Sequence, residues 1–124
     1  MTEKQNLSDV EMSRELANMI GELALEKKAE DIVVIDVKKI SGFTNYFVIA
    51  TANSDVHLKS IADYIEDELA QYKVKAWKKE GYQNRKWILL DFVDVVVHIF
   101  DAETREYYDL DTLWADAEKI IVRD

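Results

Sequence analysis

The sequence contains no cysteine, and this absence excludes both disulfide bonds and thiolate sites. Without thiols, the 124-residue chain can form neither a disulfide framework nor a thiolate site for metal or redox chemistry. No apolar run approaches the roughly 18–20 residues that a membrane-spanning helix needs. Residues 1–15 are too acidic for a transit peptide and lack the basic and apolar regions of a signal peptide. These absences favour a cytoplasmic protein with no membrane contact.

Basic residues are also fewer than acidic residues. The chain has 25 acidic and 16 basic residues, which gives a formal net charge of −9. Because such a surface repels phosphate, the composition predicts no direct nucleic-acid specificity. A basic protein partner is favoured instead, since complementary fields steer association, although an acidic surface also serves solubility alone. Seven carboxylates fall between residues 101 and 118, where Arg105 is the one base.

The apolar content predicts a single packed domain. A hydrophobic fraction of 48%, with 10% aromatic residues, suits a core and excludes a disordered chain. An apolar stripe at helical spacing predicts a first helix over residues 9–28, with Ser8 or Asp9 as its N-cap and Gly21 at a close packing contact. Residues 1–8 are expected to form a tail and residues 9–124 the domain.

The periodicities along the chain predict the element order α-β-β-α-β-β-β-α. Buried or alternating runs predict five strands, at residues 32–37, 46–51, 74–79, 86–92 and 95–100. A second helix is predicted over residues 55–72, and residues 101–108 and 111–121 are helical in composition and supply the last helical part of the order. This order is typical of an α/β domain with a mixed five-stranded sheet and helices mainly on one face. Residues 46–79 should form a right-handed parallel crossover.

Three carboxylates raise the question of metal-dependent nucleotidyl transfer. Asp36, Asp91 and Asp94 lie on or near predicted strands, and such chemistry needs carboxylates that bridge two metal ions about 3.5–4 Å apart. The chain lacks an Asp-x-Asp pair within a strand and a Gly-Ser phosphate turn at a helix N-terminus. The competing interpretation is that Asp91 and Asp94 cap a hairpin turn while Asp36 ends a strand. We therefore expect no catalytic, cofactor or metal site.

The two histidines do not alter this expectation. His57 lies in the first turn of a predicted helix, where exposure is the default. His98 lies in an apolar strand, on the face predicted for Val96 and Phe100, and no serine or cysteine nucleophile motif accompanies it. A structural or interfacial role is favoured for His98, and a zinc site has little support.

The aromatic residues of the C-terminal half suggest a docking surface. Trp77, Trp87 and Trp114 are too many large rings to bury fully in a small domain, and tryptophan and tyrosine dominate interface hot spots. Trp87 opens its strand beside a polar turn, which favours exposure. For Tyr108 and Trp114, a role in fixing the C-terminal helix to the sheet is equally open. The candidate partner-binding residues are Trp77, Trp87, Asp91, Asp94, His98, Tyr107, Tyr108, Leu113 and Trp114.

The segment from Trp87 to Trp114 closely resembles the C-terminal half of the ribosomal silencing factor (Iojap-like) family. That family's pattern runs W-x-x-x-D-x-x-D-V-[VI]-V-H-[VI]-F and then R-x-x-Y-x-L-x-x-L-W. It is matched here at Trp87, Asp91, Asp94, Val95, Val97, His98, Phe100, Arg105, Tyr108, Leu110, Leu113 and Trp114. Residues 27–37, 43–55 and 80–81 extend the match, whereas Asn45 departs from it because many members carry Asp there.

The resemblance implies an α/β fold likened to that of nucleotidyltransferases, without their catalytic motif. It also implies a function that needs no chemistry. Members bind ribosomal protein L14 on the large ribosomal subunit and sterically block subunit joining, which represses translation when nutrients are scarce. A large-subunit assembly or maturation factor is the first alternative and a metal-dependent nucleotidyltransferase the second. For the free protein, a monomer and a homodimer both remain open.

Overall fold

A computed structural model describes the backbone of residues 2–123 and the side chains of residues 12–123. Its helices are α1 (Thr2–Glu26), α2 (Lys38–Ser41), α3 (Asp55–Ala70), α4 (Ala102–Tyr108) and α5 (Leu110–Leu113). Its strands are β1 (Glu30–Asp36), β2 (Tyr46–Ala52), β3 (Lys78–Glu80), β4 (Trp87–Asp91), β5 (Val95–Asp101) and β6 (Lys119–Val122). None of the described helices is long and apolar enough to cross a membrane.

The strands form one mixed sheet in the order β3-β4-β5-β2-β1-β6. The central strands β2 and β5 pair in parallel, and the other neighbours pair antiparallel. Both central strands are rich in β-branched residues and almost entirely buried, as expected where both faces of a strand are covered. The chain leaves β2, runs through α3 and returns as β3, which is parallel to β2 and separated from it by β5 and β4. The predicted α/β class and mixed sheet are confirmed.

Helices α1 and α3 cover one face of the sheet. The α3 side chains on this face are Leu58, Ile61, Ile65 and Leu69, all fully buried. Ser54 caps α3 by accepting a hydrogen bond from the His57 backbone N–H at 3.0 Å. His57 is not free in solvent, because its Nδ1 accepts from the Asn53 backbone N–H and its Nε2 lies 2.7 Å from the Lys27 carbonyl oxygen. The ring thus joins the end of α1 to the start of α3.

Gly21 brings α1 close to the sheet, as its position in the apolar stripe predicts. A Cβ atom at this position would lie 3.0 Å from Cγ2 of Val122 and 3.5 Å from Cγ2 of Val34. An alanine would therefore press against β1 and β6. The conformational cost of glycine within a helix is offset here by tighter helix–sheet packing.

The C-terminal region differs from the prediction. The helix predicted over residues 111–121 is wrong beyond Leu113, because residues 119–122 form β6 and add a sixth strand to the predicted five. Ile120 pairs with Val34 and Val122 with Ile32 on β1. The β-branched run Ile120–Val122 is a strand signal, and pairing with β1 outweighs the helical composition of the residues before it.

The boundaries of one helix and one strand also differ from the prediction. Helix α1 begins at Thr2, so the predicted start at Ser8 or Asp9 is wrong; the side chains of both residues lie outside the described part. The strand predicted over residues 74–79 is reduced to residues 78–80. This strand lies at the sheet edge, where alternation of side chains is a weak signal because neither face is buried. The division between a tail and a domain at residue 9 stays a prediction.

Candidate docking site

The face of the sheet opposite α1 and α3 has a second core of aliphatic and aromatic side chains. Its buried members come from β1, β2 and β5 and the residue after β1: Ile35, Val37, Phe47, Ile49, Val96 and Phe100. Partly buried residues that pack on them include Trp87, Leu89, Leu110 and Trp114. We call the rings on this side the aromatic face, defined as Phe47, Trp87, His98, Phe100, Tyr108 and Trp114. Within the described part of the chain, the short helices α4 and α5 and the residues after them cover it.

Strand register places these rings side by side. Trp87 of β4 lies opposite Phe100 of β5, and Leu89 lies opposite His98. Residues opposite one another in an antiparallel pair point to the same face. On the other side of β5, His98 pairs with Ile49 of β2. The period of two along β5 therefore brings Val96, His98 and Phe100 to one face, as predicted.

Contacts between rings run without a break across this face. Trp87 lies 4.9 Å from Phe100 and 4.8 Å from Tyr108, measured between ring centroids. Phe47 contacts His98 at 4.6 Å and Trp114 at 5.4 Å, in edge-to-face arrangements. Such pairs contribute about 0.5–1.5 kcal/mol each beyond their buried area. The rings therefore support one another in fixed orientations.

A hydrogen bond joins Trp87 to His98 inside this cluster. The indole Nε1–H of Trp87 donates to Nδ1 of His98 at 3.1 Å, which fixes the imidazole as the tautomer protonated on Nε2. Burial lowers the pKa of His98 to about 4, so the ring is neutral at physiological pH. His98 Nε2 and Trp114 Nε1 are buried and have no hydrogen-bond partner among the described residues. Phe47 lies against both rings.

The margin of the aromatic face carries exposed apolar side chains. Tyr107 is 80% exposed, Leu113 70%, Phe43 68% and Tyr108 51%. Tyr107 and Phe43 extend the ring contacts at opposite ends, through Tyr108 and Phe47. Tyr107, Tyr108 and the partly buried Trp87 form a connected apolar surface at one end, and such a surface marks an interaction site more often than isolated exposed residues do.

Arg105 holds α4 and α5 against the sheet. Its guanidinium forms a bidentate pair with Asp111, at 3.1 Å on each oxygen. Its Nη1 also donates to Thr51 Oγ1 at 2.8 Å and to the Asp31 carbonyl oxygen at 2.6 Å. The planar fork of arginine matches this set of acceptors, which lysine could not satisfy. One side chain therefore positions the two helices that carry Tyr107, Tyr108 and Leu113.

The seven carboxylates of this region divide into two groups. Asp101 and Asp109 cap α4 and α5 by accepting from the Thr104 and Thr112 backbone N–H groups, and Asp111 pairs with Arg105. The other four are exposed and form no ion pair with any described residue: Glu103, Glu106, Asp116 and Glu118. We call these four the acidic rim. Glu103 and Glu106 lie on α4 with Tyr107 and Tyr108, whereas Glu118 lies beside Arg14 and Val34 on the side of α1.

The three carboxylates considered for metal chemistry do not converge. Asp36 and Asp91 end strands that are three positions apart in the sheet, which is about 14 Å at the usual strand spacing. Asp36 is held by Lys38, through its backbone N–H and its Nζ, and Asp91 caps the β4–β5 turn by accepting from the Val93 N–H at 2.8 Å. Among the described residues, no three acidic or histidine side chains are grouped to hold a metal ion.

The structure brings together six of the nine predicted partner-binding residues. Trp87, His98, Tyr107, Tyr108 and Trp114 belong to the ring contacts, and Leu113 lies at their margin. The expected exposure of Trp87 is wrong, because its ring is partly buried against His98 and Phe100. His98 is 5% exposed and can contribute to binding only through its neighbours.

The other three predicted residues lie apart. The Asp91 carboxylate already accepts a hydrogen bond from the Val93 N–H in the β4–β5 turn. Asp94 is exposed and lines a groove beside α1 with Met12 and Leu16. Trp77 lies at the β3 edge and is 70% exposed. Sequence reasoning missed Phe43 and Phe47; their spacing of four residues around a turn gave no sign that they would meet the C-terminal rings.

The fold and this surface define an α/β protein with a preformed, acid-bordered aromatic surface suited to docking. Comparison with known proteins narrows the class. Residues 10–124 match the family described as "Ribosomal silencing factor during starvation". The chain belongs to the ribosomal silencing factor family.

Individual relatives agree with this assignment. The ribosomal silencing factor of Bacillus subtilis is 41% identical over 92 residues, which span 74% of this chain and 78% of the relative. A mouse protein named for mitochondrial assembly of the ribosomal large subunit is 34% identical over 100 residues, covering 78% of this chain and 44% of its own length. A crystal structure of a Chromobacterium violaceum protein superposes with a TM-score of 0.80 at 27% identity, covering 90% of this chain and 92% of that one.

Proposed function

We propose that this protein binds ribosomal protein L14 on the large ribosomal subunit through the aromatic face and thereby blocks subunit joining. The observation that carries the proposal is the unbroken set of ring contacts that ends in exposed Tyr107 and Phe43. Short helices leave these rings accessible, and hydrogen bonds and ring contacts hold them in place before binding. Rigid aromatic anchors of this kind lose little entropy on association.

The acidic rim supports a basic partner. Unpaired Glu103 and Glu106 lie on α4 beside exposed Tyr107 and Tyr108, and charged residues next to apolar anchors are usual at the border of an interface. The rim charges act mainly on encounter and on the rejection of wrong partners. Ribosomal proteins are typically basic, so L14 fits this border. We place the protein in the cytoplasm, where such a partner is found.

The proposed mechanism is steric. A protein bound on the subunit face that meets the small subunit prevents joining because both cannot occupy the same space. No bond needs to form or break, and the separated positions of Asp36, Asp91 and Asp94 support this view. We therefore expect no nucleotidyl transfer or nucleotide hydrolysis with magnesium or manganese. Metal-dependent turnover that disappears when Asp91 and Asp94 are both changed to Asn would contradict the steric mechanism.

The direct test is sedimentation with separated ribosomal subunits. The purified protein should travel with the large subunit and not the small one, and prior addition should reduce the yield of joined ribosomes. Binding should weaken as salt rises, because rim charges are screened over about 8 Å at physiological ionic strength. Equal binding to both subunits would contradict the proposal. The same runs without subunits distinguish a monomer from a homodimer of the free protein.

A role in large-subunit assembly is the second candidate, favoured by the name of the mouse relative. The two functions can use one surface. They differ in timing: a silencing factor acts on mature subunits, whereas an assembly factor is needed while they form. Depletion of the protein in growing cells should leave mature large subunits at normal levels under the silencing proposal. Accumulation of immature large subunits would favour assembly.

A further inference from the structure

The segment that leads from the end of α3 into β3 is positively charged, whereas the net charge of the whole chain is negative. Residues 73–79 contain four lysines and no acidic residue. The chain as a whole carries −9, so the rest of it carries −9 − 4 = −13. In the middle of the segment lies Trp77, which is 70% exposed. We call this surface the basic edge, defined as Lys73, Lys75, Trp77, Lys78 and Lys79.

Register places Lys78 of the basic edge on the side of the aromatic face, whereas Lys75 and Lys79 lie toward α3. Lys78 lies opposite Asp91 of β4, and the Trp77 N–H donates to the Asp91 carbonyl oxygen at 3.0 Å. Asp91 is on the same side of β4 as Trp87 and Leu89, since alternate residues share a face. Lys78 therefore points toward the side of the aromatic rings. Its neighbour Lys79 points the other way, toward Glu66 of α3.

The lysines of this edge are available to a ligand. Lys73 and Lys75 are exposed and form no ion pair with a described residue. Lys78 pairs with Glu80 and Lys79 with Glu66, both at 3.2 Å, and both lysine side chains are about half exposed. Exposed pairs of this type contribute little stability, so a phosphate can replace the carboxylate at low cost.

Protection of the sheet edge from pairing with other chains does not explain all four lysines and Trp77. Lysine on an edge strand prevents pairing with other chains, which is sufficient reason for Lys78 and Lys79 on β3. Lys73 and Lys75 precede the strand and protect no backbone edge. Protection also gives no reason for an exposed tryptophan, which by itself promotes association. Lysines around an accessible ring are instead the combination that single-stranded nucleic acid recognises, through phosphate contacts and base stacking.

We propose that the basic edge binds the RNA of the large subunit next to the protein contact made by the aromatic face. The lysines contact backbone phosphates, and Trp77 stacks on an unpaired base. This inference rests on the proposed function, because it supplies a second contact for the same bound position. It also changes the expectation drawn from net charge: residues 73–79 carry four lysines, and Lys73 and Lys75 have no ion-pair partner among the described residues, so this edge can attract phosphate although the net charge of the chain is negative. The contact reads the backbone and not a sequence.

The test uses two binding partners, purified large subunits and isolated L14, titrated over a range of salt concentrations. The variant Lys73→Gln/Lys75→Gln removes two charges that have no partner in the described structure. Its affinity for the large subunit should fall at low salt, and the slope of log K against log salt should become shallower by about 1.4, or about 0.7 per lost phosphate contact. Its affinity for isolated L14 should not change. Trp77→Ala should weaken subunit binding about fivefold or more, again without affecting L14.

A matched control separates a local contact from a general charge effect. Lys28→Gln/Lys59→Gln removes the same charge near the start of α3, where Lys59 lies roughly 17 Å along the helix from its C-terminus and pairs with Asp63. This variant should retain the wild-type salt slope. Wild-type affinity and slope in Lys73→Gln/Lys75→Gln would overturn the RNA contact, and an equal loss on isolated L14 would reassign the edge to the protein. If the unaltered protein binds neither partner, the proposed function itself fails.

Discussion

The two faces of the sheet differ in what covers them. On one face, α1 with 25 residues and α3 with 16 bury an aliphatic core. On the other, α4 with seven residues and α5 with four cover aromatic side chains only partly. The same strands supply both faces. Along β4, Ile88 and Leu90 are fully buried toward the helices, whereas Trp87 and Leu89 remain partly accessible on the aromatic side.

This difference separates stability from binding within one small domain. Aliphatic residues under long helices contribute by removing apolar area from water, which requires complete burial. Aromatic rings also contribute through ring contacts and hydrogen bonds while part of their surface stays open to a partner. Changes on the helical face should therefore affect mainly folding, and changes toward the margin of the aromatic face should affect mainly binding.

The largest effect is expected on the helical face. Ile61 of α3 is fully buried, so Ile61→Ala should reduce the free energy of unfolding by about 4 kcal/mol through lost burial and a residual cavity. Ile61→Val, the milder control, should cost about 1 kcal/mol. Chemical denaturation measures both. The folded fraction should still bind the large subunit normally; a specific loss of affinity in folded Ile61→Ala would contradict the separation of the two faces.

Acid should weaken the aromatic core through His98. Burial lowers the pKa of His98 to about 4, whereas in the unfolded chain it is about 6.5. Below pH 6.5 the unfolded state binds a proton that the folded state does not, so this contribution to stability is complete above pH 6.5 and is lost as the pH falls. The loss is about 1.4 kcal/mol per pH unit and reaches about 3 kcal/mol near pH 4.

Carboxylates also titrate in this range, so the His98 contribution must be taken by difference. Denaturation of the wild type and of His98→Phe between pH 7 and about pH 4 gives it directly. The variant should lose stability less steeply over that window. Parallel curves would show that His98 titrates in the folded protein as it does in the unfolded chain.

Substitution of Trp87 should affect both stability and binding, because its ring is partly buried and hydrogen-bonded. Trp87→Ala should cost roughly 2 kcal/mol of binding to the large subunit, about 30-fold in affinity. It should also reduce stability, since contacts with Phe100 and Tyr108 and the bond to His98 are lost. Trp87→Phe keeps one aromatic ring but removes the N–H donor and the remainder of the larger indole. Unchanged subunit binding by Trp87→Ala would exclude this ring as an anchor.

The smallest change is expected at the exposed margin. Tyr107 is 80% exposed, so Tyr107→Ala should alter the free energy of unfolding by less than about 0.5 kcal/mol. If the margin contacts the partner, affinity for the large subunit should fall by about fivefold, or 1 kcal/mol. Ala102→Ser, at another exposed position of α4, should leave binding unchanged and serves as the control. Normal affinity in Tyr107→Ala would limit the docking surface to the partly buried rings.

Local patterns predicted those parts of the molecule whose environment is set by neighbours in sequence. The apolar stripe of α3, the cap at Ser54 and the hairpin of β4 and β5 follow from spacing, capping chemistry and β propensity. The shared face of Val96, His98 and Phe100 follows from a period of two. Matched residues from Trp87 to Trp114 also indicated the family before any fold was known.

Other features depended on contacts between distant segments. The C-terminal residues became β6 because the edge of β1 was available for pairing, which no local preference specifies. Trp87 was expected to be exposed because its sequence neighbours are polar, yet Tyr108 and His98 lie over and beside it. Arg105 was known only as a matched position until it was found to join α4 and α5 to β2.

The sequence by itself determined the α/β class, the family and the concentration of aromatic and acidic residues in the C-terminal half, because composition and short-range periodicity carry that information. Only the tertiary structure decided which rings are anchors and which are core, since exposure depends on packing between segments far apart in the chain. It also decided where the lysines of residues 73–79 lie in the fold. The sequence places these lysines next to one another, but only the pairing of β3 with β4 turns Lys78 toward the side of the aromatic face.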